Sequence, residues 1–295
     1  METRLQNQGK DRLENVYPIP KPILWGAKFL QSISDKWAAA YSRYFFKKPV
    51  EPPVKDYEKE WRNKAEISRL KIPVFGKILT VYRWGKGTKK VLILHGWSGR
   101  ATQLTHLIET FLKHHYTVYA FDAPSHGLSP GQTTNMVEYI ESIVAIDQSY
   151  GPFDIIVGHS MGGISALNAI ARKNVKTKKL VTVGIPDSIE KIFYQFAQVM
   201  GLKPAIAELN IRYMKEKLHT DIKHLAGSYN AEKIRIPVLQ IHDKTDKEVP
   251  FSEAENLSKH WRKGEFYVTE GWGHRRILRN PEVLQKIIDF AEENN

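Results

Sequence analysis

The chain has 295 residues, 42% of them hydrophobic and 26% charged, a balance that suits one large globular domain carrying an insertion and excludes wholesale disorder. It contains no cysteine, which removes disulfides, thiolate metal sites and cysteine nucleophiles. The net charge of +12 favours anionic partners in general, but the basic residues are dispersed and no nucleic-acid motif is present, so nucleic acid is not an expected partner.

Residues 1–20 are polar and lack the apolar core of a signal peptide. No stretch reaches the roughly 18 apolar residues that a spanning helix needs, and a soluble, cytoplasmic protein is the expectation. In residues 21–48, Leu30, Ile33, Trp37, Tyr41, Tyr44 and Phe45 recur at helical spacing between Pro22 and Pro49. Lys28, Lys36, Arg43, Lys47 and Lys48 flank that aromatic stripe. Two readings stand side by side. In one the stripe packs the helix on the main domain; in the other, residues 21–48 make weak peripheral contact with an anionic membrane. A proline-rich, charged linker follows, and residues 1–65 are assigned to an N-terminal helical extension and linker.

From residue 66 the pattern changes. "RLKIPVFGKILTVYRWG" predicts two strands joined at Phe75-Gly76-Lys77. Short apolar runs, "KVLILHGW", "YTVYAFDAP", "DIIVGHS", "KLVTVGIP", "PVLQIHD" and "EFYVTEG", then alternate with helical stretches. This predicts an α/β fold: a mostly parallel sheet covered by helices on both faces. Residues 66–186 and 233–295 form the two parts of that core. Residues 187–232 contain no strand-like run and are expected to fold as helices, a cap or lid over the pocket. Ile192, Phe193, Phe196, Met200 and Leu202 there either offer an apolar acyl surface or pack the cap.

Ligand sites in such sheets lie beyond the carboxyl ends of the strands, and the chemistry-bearing residues fall there. Gly158-His159-Ser160-Met161-Gly162 follows a strand and precedes a helix. That Gly-x-Ser-x-Gly pattern sets a serine on a strained turn with its hydroxyl exposed, the glycines letting strand and helix approach closely. Serine attacks only when a base takes its proton. Asp246, just past one strand, and His274, in a glycine-rich loop past the next, supply acid and base in the expected order. Asp243 and Glu270 compete with Asp246 as the acid. Backbone N–H groups of Met161 and Trp97 are the expected oxyanion donors. His95, His126, His159 and His242 are expected to support loops.

With "LHGW", "FDAPSHGLS", "GHSMGG", "IHDKTDKEVP" and "GWGHRRIL" in this order, the chain resembles the α/β-hydrolase superfamily over about residues 66–295. The resemblance implies a serine esterase with a Ser160–Asp246–His274 triad, a small-molecule ester or acyl substrate, and no metal or organic cofactor. Three departures bear on chemistry. The loop after His95-Gly96 is not of the triple-glycine type, which disfavours bulky tertiary-alcohol esters. It also lacks the proline common there. Asp243 stands where the family often has glycine. A non-catalytic ligand-binding protein on the same fold and a membrane-associated lipase are the rival readings.

Overall fold

The computed structural model describes residues 19–218 and 221–293; the polar stretch 1–18 lies outside them. The strands are β1 (Glu66–Lys71), β2 (Ile78–Trp84), β3 (Lys89–Leu94), β4 (Tyr116–Asp122), β5 (Phe153–His159), β6 (Thr177–Val183), β7 (Val238–Asp243) and β8 (Gly264–Thr269). They form one sheet in the order β1-β2-β4-β3-β5-β6-β7-β8. β1 and β2 form an antiparallel hairpin, β2 runs antiparallel to β4, and every remaining pair is parallel. β4 and β7 are buried along their whole length, as strands covered on both faces must be.

Helices α1 (Lys21–Ile33), α2 (Asp35–Phe46) and α3 (Asp56–Asn63) precede the sheet. Helices α4 (Thr105–Lys113), α5 (Met136–Tyr150) and α6 (Met161–Lys173) lie between its strands. After β6 come α7 (Ile189–Val199), α8 (Pro204–Leu218) and the short α9 (Gly227–Ala231). The chain closes with α10 (Phe251–Ser258), α11 (Gly273–Arg276) and α12 (Pro281–Glu292). On one face of the sheet, Leu107, Ile108 and Phe111 of α4 meet Val283 and Ile287 of α12 over Val91, Ile93 and Val118.

Two compact units emerge: one holds Pro49–Asp187 and Gly227–Asn295, the other the segment ending at Lys48 together with Ser188–Ala226. In the larger unit Asp187 fastens both ends of the insertion. Its carbonyl accepts from Gly227 N at 2.8 Å, its carboxylate from Ser228 N at 2.6 Å and Asn256 Nδ2 at 2.6 Å, and its N–H donates to Glu253.

The sequence reading carried the extension to residue 65, but Pro49–Ala65 belongs to the larger unit. The cause is a buried ion pair: Glu58 of α3 accepts Arg100 Nε at 2.6 Å and Nη2 at 2.9 Å, while Arg100 also donates to the carbonyls of Pro52 and Pro53. In the smaller unit one expected helix is two. Ser34 is extended (φ −158°, ψ 124°) and Asp35 opens α2. Ser and Asp side chains favour helix starts over helix interiors, which makes this the natural break. α2 packs through Ala38, Ala39 and Ser42. Asn210 of α8 bridges Ser42 and Arg43, and Phe46 stacks on Phe193 of α7 at 4.6 Å.

Candidate active site

Ser160 sits between β5 and α6 with φ 50° and ψ −122°, a left-handed conformation that a non-glycine residue holds only when its surroundings impose it. They do. Its N–H donates to Val183 O of β6 at 2.9 Å, and its carbonyl accepts from Gly163 N and Ile164 N at 3.0 and 3.1 Å. The flanking glycines supply room: a Cβ on Gly162 would lie 2.5 Å from the His95 carbonyl oxygen, and one on Gly158 would collide with the Gly163 backbone.

The loops after β7 and β8 carry Asp246 and His274, the candidate acid and base. His274, on the short α11, is buried and places Nδ1 2.7 Å from Asp246 Oδ2. Asp246 Oδ1 accepts from Glu248 N and Val249 N at 2.8 and 2.9 Å, which fixes the carboxylate plane. Burial works against its charge, but the hydrogen bond from His274 and the attraction to it hold the carboxyl below its ordinary range. Nδ1 therefore carries the hydrogen, leaving the Nε2 lone pair free to act as a base.

Asp243, the rival acid, never meets the imidazole. Thr245 N and Oγ1 donate to Oδ1, and Thr269 Oγ1 and Trp272 N donate to Oδ2. Burial opposes its charge, yet these hydrogen bonds keep it well below the usual carboxylate range. It is a strap joining the loops after β7 and β8. Glu270, the weaker rival, is exposed and pairs with Lys244 at 3.3 Å.

The loop after β3 reaches the serine. A Cβ on Gly96 would sit 3.0 Å from Ser160 Cβ. Among the described residues the backbone N–H groups of Trp97 and Met161 donate to no protein acceptor. Buried histidines set that loop. His95 Nε2 accepts from Ala123 N at 3.0 Å, so its Nδ1 donates to Gly96 O at 2.7 Å. His126 Nε2 accepts from Ser98 N at 3.1 Å, so its Nδ1 donates to Pro124 O. Burial pushes His95 down to about 4 and His126 to about 3, which keeps both neutral. His159 donates to the His274 carbonyl at 2.9 Å, and its ring lies 4.6 Å from that of His274; burial and that neighbour take it to about 3. His242 donates to Val249 O.

The structure thus joins Asp246 to His274, sets Ser160 beside the loop of Trp97, and gives the four loop histidines backbone partners. It does not join Ser160 to His274: among the described residues no hydrogen bond links the hydroxyl to Nε2. The end of β6 connects them indirectly, since Val183 holds Ser160 N while a Cβ on the next residue, Gly184, would lie 3.2 Å from His274 Nδ1. One neighbour escaped the sequence reading. Glu248 Oε2 lies 3.8 Å from His274 Nε2, and Glu248 Oε1 accepts Arg275 Nε at 2.9 Å. Nothing in "DKEVP" sets that glutamate apart from a solvated charge. Asp122, within the "FDAPSHGLS" motif, accepts from Ala101 N, Leu128 N and Tyr82 Oη and so ties together the loops after β3 and β4.

Residues 91–285 match the model of the alpha/beta hydrolase family. Over 118 residues the chain is 30% identical to the pimeloyl-acyl-carrier-protein methyl ester esterase of Xanthomonas campestris pv. campestris, across 37% of this chain and 46% of that one. The match thus spans about half of that relative's length. An esterase of the same name from Salmonella newport is 22% identical over 243 residues, across 68% of this chain and 93% of its own. Among solved structures, an esterase of Pyrococcus furiosus aligns with a TM-score of 0.64 at 20% identity, over 83% of this chain and 97% of that one. At that identity the likeness speaks for the fold.

Proposed function

This chain belongs to the alpha/beta hydrolase family, and on that premise we propose that it is a serine hydrolase cleaving a carboxylic ester or a related acyl bond. The observation that carries the reading is the left-handed Ser160 at its strand-to-helix turn, in the same group of strand-end loops as an Asp246–His274 pair at 2.7 Å. His274 Nε2 takes the proton as Ser160 Oγ adds to the acyl carbon. The N–H groups of Trp97 and Met161 receive the developing oxyanion. As the tetrahedral intermediate collapses, the imidazolium returns its proton to the departing alkoxide, leaving an acyl-serine. A water deprotonated by the same nitrogen then adds, and collapse releases the acid and free serine. Asp246 holds the tautomer and stabilises the imidazolium without taking the proton. The unbonded Ser160 hydroxyl agrees with this reading, because catalytic hydrogen bonds are often long before substrate arrives.

Two relatives named as methyl ester esterases point to a small ester, including an acyl group carried on a protein, as the substrate class. The test is a p-nitrophenyl ester series of rising acyl length, with fluorophosphonate labelling read by peptide mass. Turnover of at least one ester and label on Ser160 alone are expected, both lost in Ser160→Ala. An unlabelled, inactive wild-type protein would overturn the reading in favour of a ligand-binding protein on this fold.

A further inference from the structure

The two helices before the core bury very little of what they carry. α1 buries Ala27 alone, and α2 buries Ala38, Ala39 and Ser42. Several large apolar side chains face out instead. Trp25, Phe29 and Ile33 are 67%, 65% and 53% exposed, and Trp37 is 58% exposed. The first three stand at successive steps of four on α1, so they form one stripe. Of the stripe expected to pack, Leu30, Tyr41 and Phe45 are half-buried, while Ile33, Trp37 and Tyr44 are exposed.

The surroundings of the stripe are basic. Lys21 and Lys28 are exposed on α1, Lys36 is exposed on α2, and Lys48 is exposed just beyond its end. Between residues 21 and 48 there are six basic side chains and one acidic, Asp35. Tryptophan between lysines is suited to the boundary of a lipid bilayer: the indole places apolar surface inward and its N–H outward, while lysine stems extend along the apolar face with the ammonium in the headgroup layer. A second copy of this chain would bring the same positive charge against it. Among the described residues no helix is long and apolar enough to cross a membrane.

From these observations we infer that the α1–α2 face docks in plane on an anionic lipid surface, with Trp25, Phe29, Ile33 and Trp37 in the acyl boundary and Lys21, Lys28 and Lys36 on lipid phosphates. This surface does not rest on the ester reading, and its readout is binding rather than turnover.

The test is co-sedimentation of the full chain with phosphatidylcholine vesicles, with and without phosphatidylserine, at low and high salt. Binding is expected only with phosphatidylserine, and salt should weaken it. Lys21→Glu, Lys28→Glu and Lys36→Glu together should weaken it about 100-fold, since each cation near an anionic leaflet contributes about 1 kcal/mol. Trp25→Ser, Phe29→Ser and Trp37→Ser together should weaken it at least about 10-fold. Should the aromatic variant fail to fold, judged by circular dichroism, the lysine variant still decides the matter. Wild-type protein that stays in the supernatant with phosphatidylserine at low salt would overturn the inference. So would variants that sediment like the wild type, or a wild-type dimer in velocity sedimentation that the aromatic variant abolishes.

Discussion

Two sets of helices in this molecule carry similar sequence patterns and meet opposite fates. α4 and α12 put apolar residues at helical spacing, and those residues are the core: Phe111, Ile108 and Val283 are fully buried. α1 and α2 carry the same spacing with larger side chains, yet Trp25, Phe29 and Trp37 face solvent while the fully buried positions are Ala27, Ala38, Ala39 and Ser42. Periodicity sets that a segment is helical and which residues share a face. What that face meets is decided by the rest of the fold. In the larger unit, strands covered on both faces demand apolar helices above and below. In the smaller unit, α2 turns Ser42 to Asn210 of α8 and Phe46 to Phe193 of α7, and the side carrying Trp37 meets neither.

The largest effect that separates the two regions belongs to the strand-end loops. Asp246→Asn should lower ester turnover by about 10⁴-fold, because an amide no longer selects the tautomer that leaves Nε2 free. Asp243→Asn should keep far more activity and instead lower the melting temperature, since four donors from Thr245, Thr269 and Trp272 lose their charged acceptor. Steady-state kinetics beside thermal melts of both variants would check this. Equal loss of turnover in the two would break the division of labour between these carboxylates.

Next in size is the clasp between residues 49–65 and the core. Glu58→Ala leaves the Arg100 guanidinium buried without its counter-charge, and breaking such a pair costs about 3–5 kcal/mol. The Pro52 and Pro53 carbonyls remain as partners, so the lower end is expected. Denaturant unfolding measures it. A change within about 0.5 kcal/mol, the range of an ordinary surface substitution, would mean that this segment is held by something other than the ion pair.

The candidate site was more legible in the sequence than its frame. Ser160 announced itself through Gly158 and Gly162, because only a close strand–helix approach requires both. Asp246 and His274 followed from strand ends in the right order. The choice of Asp246 over Asp243 was readable only as a position in a loop; the structure separates them by partners, since Asp243 spends its four hydrogen bonds on the loops. Glu58 was not legible, because a glutamate in "DYEKEW" looks like a solvated helix face until Arg100, 42 positions away, is brought to it. Glu248 escaped for the same reason. The partners of both are remote in sequence, and local patterns carry no record of that.

A smaller effect tests the buried histidines of the core. His95, His126 and His159 are depressed to about 4, 3 and 3 by burial. Between those values and the ordinary 6.5 the unfolded chain binds protons that the folded chain does not. Stability is therefore complete above pH 6.5 and is lost as pH falls, by up to about 1.4 kcal/mol per pH unit for each histidine. Asp122, raised by burial, acts in the opposite sense at the acid end. Urea unfolding between pH 7 and pH 5 should show the decline, and His126→Gln should flatten it. A level profile would mean that these imidazoles accept a proton without strain on the loops they hold.

The smallest expected effect, that of Phe29→Ala, draws the contrast most sharply when set beside the same change in the core. Phe111→Ala removes a ring that is fully buried and packs edge-on against Tyr116 at 5.1 Å; such a truncation costs about 3–5 kcal/mol. Phe29→Ala removes a ring that is 65% exposed, and alanine is the better helix former, so stability should change by less than about 0.5 kcal/mol, in either direction. Denaturant midpoints of the two variants decide it. If Phe29→Ala costs as much as Phe111→Ala in dilute, lipid-free solution, then α1 is covered there by protein, and the two regions differ in what they pack against rather than in whether they pack.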